Sequence, residues 1–358
     1  MFNFNELKQI HLEITNRCQA SCPMCSRNHY GGLENPLLKE VDWTIDDFKT
    51  IMTDEVLQQL ESFYFCGNFG DPIINNDLIK MCKHSKEINP KLYIRIHTNG
   101  SARNIDWWKE LATSLPSGHN VIFAIDGLED THSIYRIGTK YDKILENATA
   151  FISQGGKAEW CFIKFKHNEH QVEEAKRRAK ELGFDRFTVK DSSRFVGKDQ
   201  YPVLNQKGNI EYYLEPPTGT TIVALTPEII KNYKALVADT EIDCYVNKTK
   251  EIYIDAYKTI LPCCFLASAP YNYSPEGELL YEARKTILEQ YTEVVDSLGG
   301  LEKINGLNST VKDVINSQEW QSVWNEYWTT NKLITCARTC GVNPLSKPKD
   351  QFIEAKQL

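Results

Sequence analysis

Residues Leu12–His29 read LEITNRCQASCPMCSRNH, and within them Cys18, Cys22 and Cys25 stand at C-x3-C-x2-C spacing. Just before, Ile10, Leu12 and Ile14 alternate with polar residues, which predicts a short strand that ends where the cysteines begin. Barrel enzymes carry their chemistry on loops at this end of a strand. Thiolates select zinc, copper(I) or iron-sulfur clusters; a structural zinc site takes four protein ligands, and a 4Fe-4S cube normally takes four cysteines. Three thiolates on one loop leave two readings. One is a zinc knuckle completed by a distant ligand, and the other is a cube whose fourth iron stays open to a ligand from outside the chain.

Downstream, the apolar spacing of Trp43 to Leu60 predicts a helix with Thr44 as its N-cap. Strand-like Ser62 to Cys66 then runs into the turn GNFGDP. The alternation continues with helix Asn76 to Glu87, strand Lys91 to His97 ending in Thr98-Asn99-Gly100, helix Asp106 to Leu115, and strand Asn120 to Ile125 ending in Asp126-Gly127. Helix Tyr141 to Gln154, strand Lys157 to Phe165, helix Glu169 to Leu182 and strand Arg186 to Lys190 complete it. Strands alternating with helices of this length predict an α/β fold with a parallel sheet, and about six right-handed βα units curve into an incomplete barrel. From Asp191 to about Thr240 the periodicity fades, and Gly, Pro and Tyr become frequent, as in KGNIEYYLEPPTGTT. The expected organisation is a partial (β/α)6 TIM-type barrel over 1–190, a connector over 191–240, and a small α+β cysteine-rich C-terminal domain over 241–358.

The cysteine loop after the first strand, GNFGDP after the second, TNG after the third and Asp126-Gly127 after the fourth, taken in that order, resemble the signature of the radical S-adenosylmethionine (SAM) enzymes. The resemblance implies a 4Fe-4S cluster on Cys18, Cys22 and Cys25, with SAM chelating the open iron through its amino and carboxylate groups. Met24 stands where that family usually has an aromatic residue, and a thioether still packs against adenine. Phe69-Gly70-Asp71-Pro72 resembles the family's Gly-Gly-Glu-Pro-like motif, which holds the SAM amino group, with Asp for Glu and Phe for the first Gly. Read alone it is an ordinary Gly-Asp-Pro turn with bare carbonyls. Arg136 lies twelve residues past the position of the family's S-x-D-G serine, and the resemblance pairs it with the SAM carboxylate, a contact suited to a guanidinium fork. Without the resemblance it is a solvated arginine. Ala124 stands at the serine position, so Asn99 or a backbone group is expected to cover that contact.

A second cysteine set follows. Cys244 precedes strand-like Glu251 to Ala256 and TILPCC, which ends at Cys263 and Cys264; Cys336 and Cys340 come later in CARTCG. Four thiolates and a spare are enough to close a coordination shell, and a zinc ribbon is the alternative to a cluster. Adjacent residues on a strand face opposite sides, so one of Cys263 and Cys264 is expected to ligate. The set resembles the SPASM or twitch domains of radical SAM enzymes. That implies one auxiliary 4Fe-4S cluster on Cys244, Cys263, Cys336 and Cys340, the family spacing favouring Cys263. Family hairpins usually carry Gly five residues before the second cysteine, where this chain has Lys258. Glu276 to Leu298 reads as an amphipathic helix, and Cys66, Cys82 and Cys161 read as single buried thiols.

At 358 residues and 41% apolar content, the chain is long enough for one large α/β domain and a smaller one. A net charge of -7 leaves no polybasic footprint, so neither duplex nucleic acid nor an anionic membrane is an expected partner. No apolar run spans a bilayer and no signal peptide is read, so the expected location is cytoplasmic. Eleven cysteines in a reducing compartment argue for metal ligation over disulfides. The first strand begins within about ten residues of Met1, which is expected to leave no room for a leader-binding domain. The resemblance as a whole implies reductive cleavage of SAM to a 5'-deoxyadenosyl radical, which abstracts hydrogen from a peptide or protein substrate. A flavodoxin or ferredoxin would supply the electron and the auxiliary cluster would take part in electron transfer. A small molecule or nucleotide is the alternative substrate, and a non-enzymatic zinc or iron-sulfur module the distant alternative.

Overall fold

Strand and helix alternate as the apolar spacing predicts, and local caps decide where each element stops. The computed structural model describes residues 1–192, 194–195, 199–220, 240–274, 276, 278, 281–342 and 356–357. Its strands are β1 Gln9–Leu12, β2 Asn28–His29, β3 Leu33–Glu34, β4 Ser62–Phe65, β5 Tyr93–Thr98, β6 His119–Ala124, β7 Ala158–Lys164, β8 Arg186–Asp191, β9 Tyr201–Leu204, β10 Ile210–Leu214, β11 Glu251–Ile254, β12 Ile260–Leu261 and β13 Lys356–Gln357. By internal contacts the chain divides into two compact units. One comprises Met1–Glu13, Trp43–Phe63 and Leu225–Pro348, and the other Ile14–Asp42, Tyr64–Ala224 and Lys349–Leu358.

In the second unit β5, β6, β7 and β8 lie side by side and parallel, with Ile94 opposite His119, Val121 opposite Ala158 and Glu159 opposite Arg186. The helices Ile105–Ser114, Tyr141–Ser153 and Val172–Glu181 alternate with them, the βα order of a partial TIM-type barrel. Asn104 caps the first of these helices, its side chain accepting from Trp107 N. Trp108, Phe123, Phe151 and Trp160 are all fully buried between these elements. Each such side chain contributes roughly 1.5–3 kcal/mol by leaving water. Cys82 and Cys161 are buried thiols, as read, whereas Cys66 is only partly buried. β13 closes the far edge of β8 in antiparallel pairing.

The stretch 191–240, read as an irregular connector, contains an antiparallel hairpin of β9 and β10 in the same unit. Its alternation is short and interrupted by Pro202 and by the turn at Asn205–Gly208, which hid it from periodicity. Residues 221–239 of the connector lie outside the described residues.

In the first unit β11 runs parallel to β1, Leu12 opposite Ile254, and pairs antiparallel with β12, Tyr253 opposite Leu261. The helix expected over Trp43 to Leu60 is two helices, Ile45–Ile51 and Asp54–Gln59. Met52 leaves helical geometry at φ -93 and ψ 62, and the Thr53 hydroxyl restarts the chain by accepting from Val56 N. The helix read from Glu276 begins, among the described residues, at Tyr281 and runs to Ser297. No helix among the described residues is long and apolar enough to cross a membrane.

Candidate active site

The cysteine loop turns tightly, with Cys25 N donating to Cys22 O and Asn28 N to Cys25 O, both at 3.0 Å. Each sulfur meets a group from the segment that follows a different strand. The Asn68 carbonyl, after β4, lies 3.8 Å from Cys25 Sγ. The Asn99 side-chain amide, after β5, donates to Cys18 Sγ at 3.6 Å. Arg136, in the segment after β6, donates from Nη1 to Cys22 Sγ at 3.7 Å. Three motifs that are far apart in the chain therefore converge on three thiols.

Asp71 and Asp126 hold this arrangement. Asp71 is buried, and its Oδ2 accepts from Asn99 N at 2.7 Å and from the Thr98 hydroxyl at 3.0 Å, while Oδ1 accepts from Ile73 N at 3.2 Å. Its own N–H donates to Arg17 O at 2.9 Å, which ties the turn to the start of the cysteine loop. Gly70 has no room for a side chain, since a Cβ there would lie 2.1 Å from Thr15 O. Asp71 was expected beside the SAM amino group. Both of its oxygens accept hydrogen bonds from the chain, Oδ2 among them from Asn99 N.

Asp126 has no exposed surface; Oδ2 accepts from Arg136 Nε at 2.6 Å and Oδ1 from Ile163 N at 2.6 Å. Burial disfavours the Arg136 charge, and the facing Asp126 carboxylate more than restores it, so the guanidinium stays a cation. Sequence reading placed Asp126-Gly127 in the motif order but gave Asp126 no partner of its own, because a carboxylate before glycine carries no sign of which side chain it will face. Beneath it, His132 Nδ1 accepts from Asp126 N, and burial holds this imidazole neutral, down to about 3.

Met24 is buried, its sulfur accepting from the Ser192 hydroxyl at 3.5 Å and its carbonyl from Arg194 Nη1. Phe69 is buried as well. Met24, Cys22 and Ala20 pack in one apolar cluster with Tyr135, Phe165, Phe195, Val203 and Leu214, so the hairpin missed in the sequence covers the loop. Tyr212, on β10, donates its hydroxyl to Ile134 O at 2.7 Å. In the same unit a cavity of about 530 Å³ is lined by Ser133, Ile134, Lys166, His167, Tyr212, Tyr213 and Glu215. His167 Nε2 is buried without a hydrogen-bond partner among the described residues.

Among the described residues, no three His, Cys, Asp or Glu side chains stand at the close spacing of an assembled metal site. The donor set nevertheless fits a cationic cluster. Burial, and then the Asp71 carboxylate, push the Cys18 thiol up, and burial lifts Cys22 to about 11 against the pull of Arg136. A metal would supply the charge that compensates thiolates so desolvated. The nearby carboxylates of Asp71 and Asp126 are engaged by the chain, which leaves three sulfurs as the donors on the loop.

In the first unit Cys244, Cys263, Cys336 and Cys340 are electrostatic neighbours of one another. Cys244 hydrogen-bonds Cys340, which is drawn down by that bond while its partner is raised. Cys336 and Cys340 share one face of helix Ile334–Cys340, and the Trp328 indole N–H donates to Cys336. Cys263 sits at the N-cap of helix Cys264–Ala267, its sulfur facing Phe265 and Leu266 N–H without closing a full capping bond. The strand alternation invoked for Cys263 and Cys264 does not apply, because the pair straddles a helix start. Cys264 instead neighbours Tyr253. Lys258 has φ +72, the left-handed region that favours glycine, and its ammonium lies 3.5 Å from Asp47.

No family model matches the chain. Among curated proteins, it is 29% identical over 133 residues to a tungsten-containing aldehyde ferredoxin oxidoreductase cofactor-modifying protein of Pyrococcus furiosus, covering 37% of this chain and 34% of that one. It is 24% identical over 144 residues to a 7,8-dihydro-6-hydroxymethylpterin dimethyltransferase of Methanocaldococcus jannaschii, covering 38% and 26%. The chain thus spans about a third or less of the curated relatives it matches. Among solved structures, it is similar to Streptococcus suis SuiB bound to S-adenosylmethionine, with 15% identity, 83% of this chain and 72% of that one covered, and a TM-score of 0.48. BtrN in complex with AdoMet and 2-DOIA aligns with 11% identity over 98% of both chains and a TM-score of 0.47. At these scores the chemistry of the site rests on this chain's own residues.

Proposed function

We propose that this chain is a radical SAM enzyme, with the catalytic 4Fe-4S cluster on Cys18, Cys22 and Cys25 and an auxiliary 4Fe-4S cluster on Cys244, Cys263, Cys336 and Cys340. The observation that carries the reading is the convergence of groups from the segments that follow β4, β5 and β6 on three successive thiols of one loop. A zinc knuckle needs a fourth ligand but no such ordered set of turns around it. We assign 1–190 as the catalytic barrel, 191–240 as the connector and 241–358 as the auxiliary-cluster domain.

When bound, the catalytic cluster supplies the electron that cleaves SAM to methionine and a 5'-deoxyadenosyl radical. The chain's part is to place SAM and keep water away. Arg136 offers Nη2, for which no protein partner is found among the described residues, to the SAM carboxylate. The carbonyls of the Phe69-Gly70 turn take the SAM amino group, and the buried Met24 packs on adenine. Asn99, fixed by Asp71, orients the bound cofactor beside Cys18. In the first unit, four thiolates leave no open iron, which suits electron transfer from a substrate radical better than substrate ligation.

For the substrate we favour a peptide or protein side chain, on the resemblance of the late cysteine set to SPASM and twitch domains. SuiB has been solved bound to its precursor peptide SuiA, BtrN with a small molecule, and a curated relative is named for a pterin, so a small molecule is the second reading. Deuterated peptide and small-molecule fractions of a cell extract separate the two. Label that arrives in 5'-deoxyadenosine only from the small-molecule fraction would overturn the peptide assignment.

A further inference from the structure

Arg136 has a contact that its expected role does not require. A SAM-carboxylate partner needs only a free end of the guanidinium, yet Nη1 faces the Cys22 sulfur at 3.7 Å. The side chain cannot easily turn away. Nε is held at 2.6 Å by Asp126, which is itself held by Ile163 N and has no exposed surface. The guanidinium also lies over the Tyr135 ring, 5.2 Å from its centroid. Cys22 is buried beside it. At this desolvated position a positive charge interacts with the sulfur far more strongly than it would in water.

We propose that Arg136, oriented by Asp126, raises the reduction potential of the cluster held by Cys22, as a positioning charge on the thiolate that is separate from its contact with SAM. The inference rests on the cluster assignment made above. Reduction adds one negative charge to the cluster, and a cation donating to a ligand sulfur stabilises the more negative state, so the midpoint moves up. Asp126 acts one bond further out, fixing the guanidinium so that one end faces sulfur and the other stays open.

The test measures the midpoint of the anaerobically purified full chain by EPR-monitored redox titration in the absence of SAM, where the carboxylate contact plays no part. The signal belonging to this cluster is identified in the wild-type chain by its change in shape on adding SAM, and by its absence from the triple variant Cys18→Ala, Cys22→Ala, Cys25→Ala. In Arg136→Gln the ratio of reduced to oxidised cluster at the wild-type midpoint is expected to fall about tenfold, which for a one-electron couple is a negative shift of about 59 mV. Arg136→Lys, which keeps the charge without the fork, should fall between the two. It also serves as the comparison should Arg136→Gln lose its iron. A midpoint unchanged in both variants, with iron and sulfide at wild-type content, overturns the proposal. A wild-type chain with no SAM-responsive cluster signal overturns the cluster assignment itself.

Discussion

Asp71→Ala separates a residue that places Asn99 from one that merely occupies a turn. The carboxylate accepts from Asn99 N at 2.7 Å, the Thr98 hydroxyl at 3.0 Å and Ile73 N at 3.2 Å, and the Thr98 hydroxyl accepts in turn from Gly100 N at 2.9 Å. A hydrogen bond to a charged acceptor contributes about 1.5–3 kcal/mol. Losing the one to Asn99 should therefore lower the free energy of local opening by about that amount, and each 1.4 kcal/mol is tenfold in an equilibrium. The Asn99 amide should exchange its hydrogen roughly 10- to 150-fold faster, with Gly100 following, while amides in β8 keep wild-type rates. Hydrogen-exchange mass spectrometry across residues 94–103 reads this directly and does not require the whole chain to unfold in one step. Asp71→Asn, whose amide oxygen can still accept from Asn99 N, should show a smaller change. Exchange at Asn99 within twofold of wild type in Asp71→Ala would refute the reasoning.

The auxiliary assignment predicts that the triple variant Cys18→Ala, Cys22→Ala, Cys25→Ala keeps about four irons per chain by chemical analysis, since a cube at the late set is closed by its own thiolates; complete loss of iron contradicts it. Cys340→Ala should lose substrate turnover while keeping slow SAM cleavage, and Cys264→Ala, whose side chain neighbours Tyr253, should be mild by comparison. Equal effects of the two on iron content and turnover would remove the distinction.

The parallel strands were legible because each carries buried apolar residues between turn signals, as in Tyr93–Thr98, where every second residue is buried. The break between Ile51 and Asp54 was not, because the apolar spacing continues through it and only the Thr53 cap reveals the restart. The β9–β10 hairpin escaped because Pro202 and an exposed Tyr213 blur a two-residue period over short strands. The order of site motifs pointed to Cys18, Cys22 and Cys25 as a centre, and the structure puts Asn68, Asn99 and Arg136 against their sulfurs. Roles within the site were less legible. Whether Asp71 faces a ligand or its own backbone, and which partner orients Arg136, depend on distances between segments that no local pattern encodes. Lys258 shows the reverse case, a sequence departure at a position whose left-handed backbone the structure nevertheless keeps.

The central claim is that three thiols on one loop hold a redox-active cluster that cleaves SAM. Anaerobic protein reduced with dithionite and given SAM should release 5'-deoxyadenosine, quantified by chromatography and mass spectrometry, and Cys22→Ala should release none. Stoichiometric zinc on Cys18, Cys22 and Cys25 in the anaerobically purified chain, with no 5'-deoxyadenosine formed, would contradict the account.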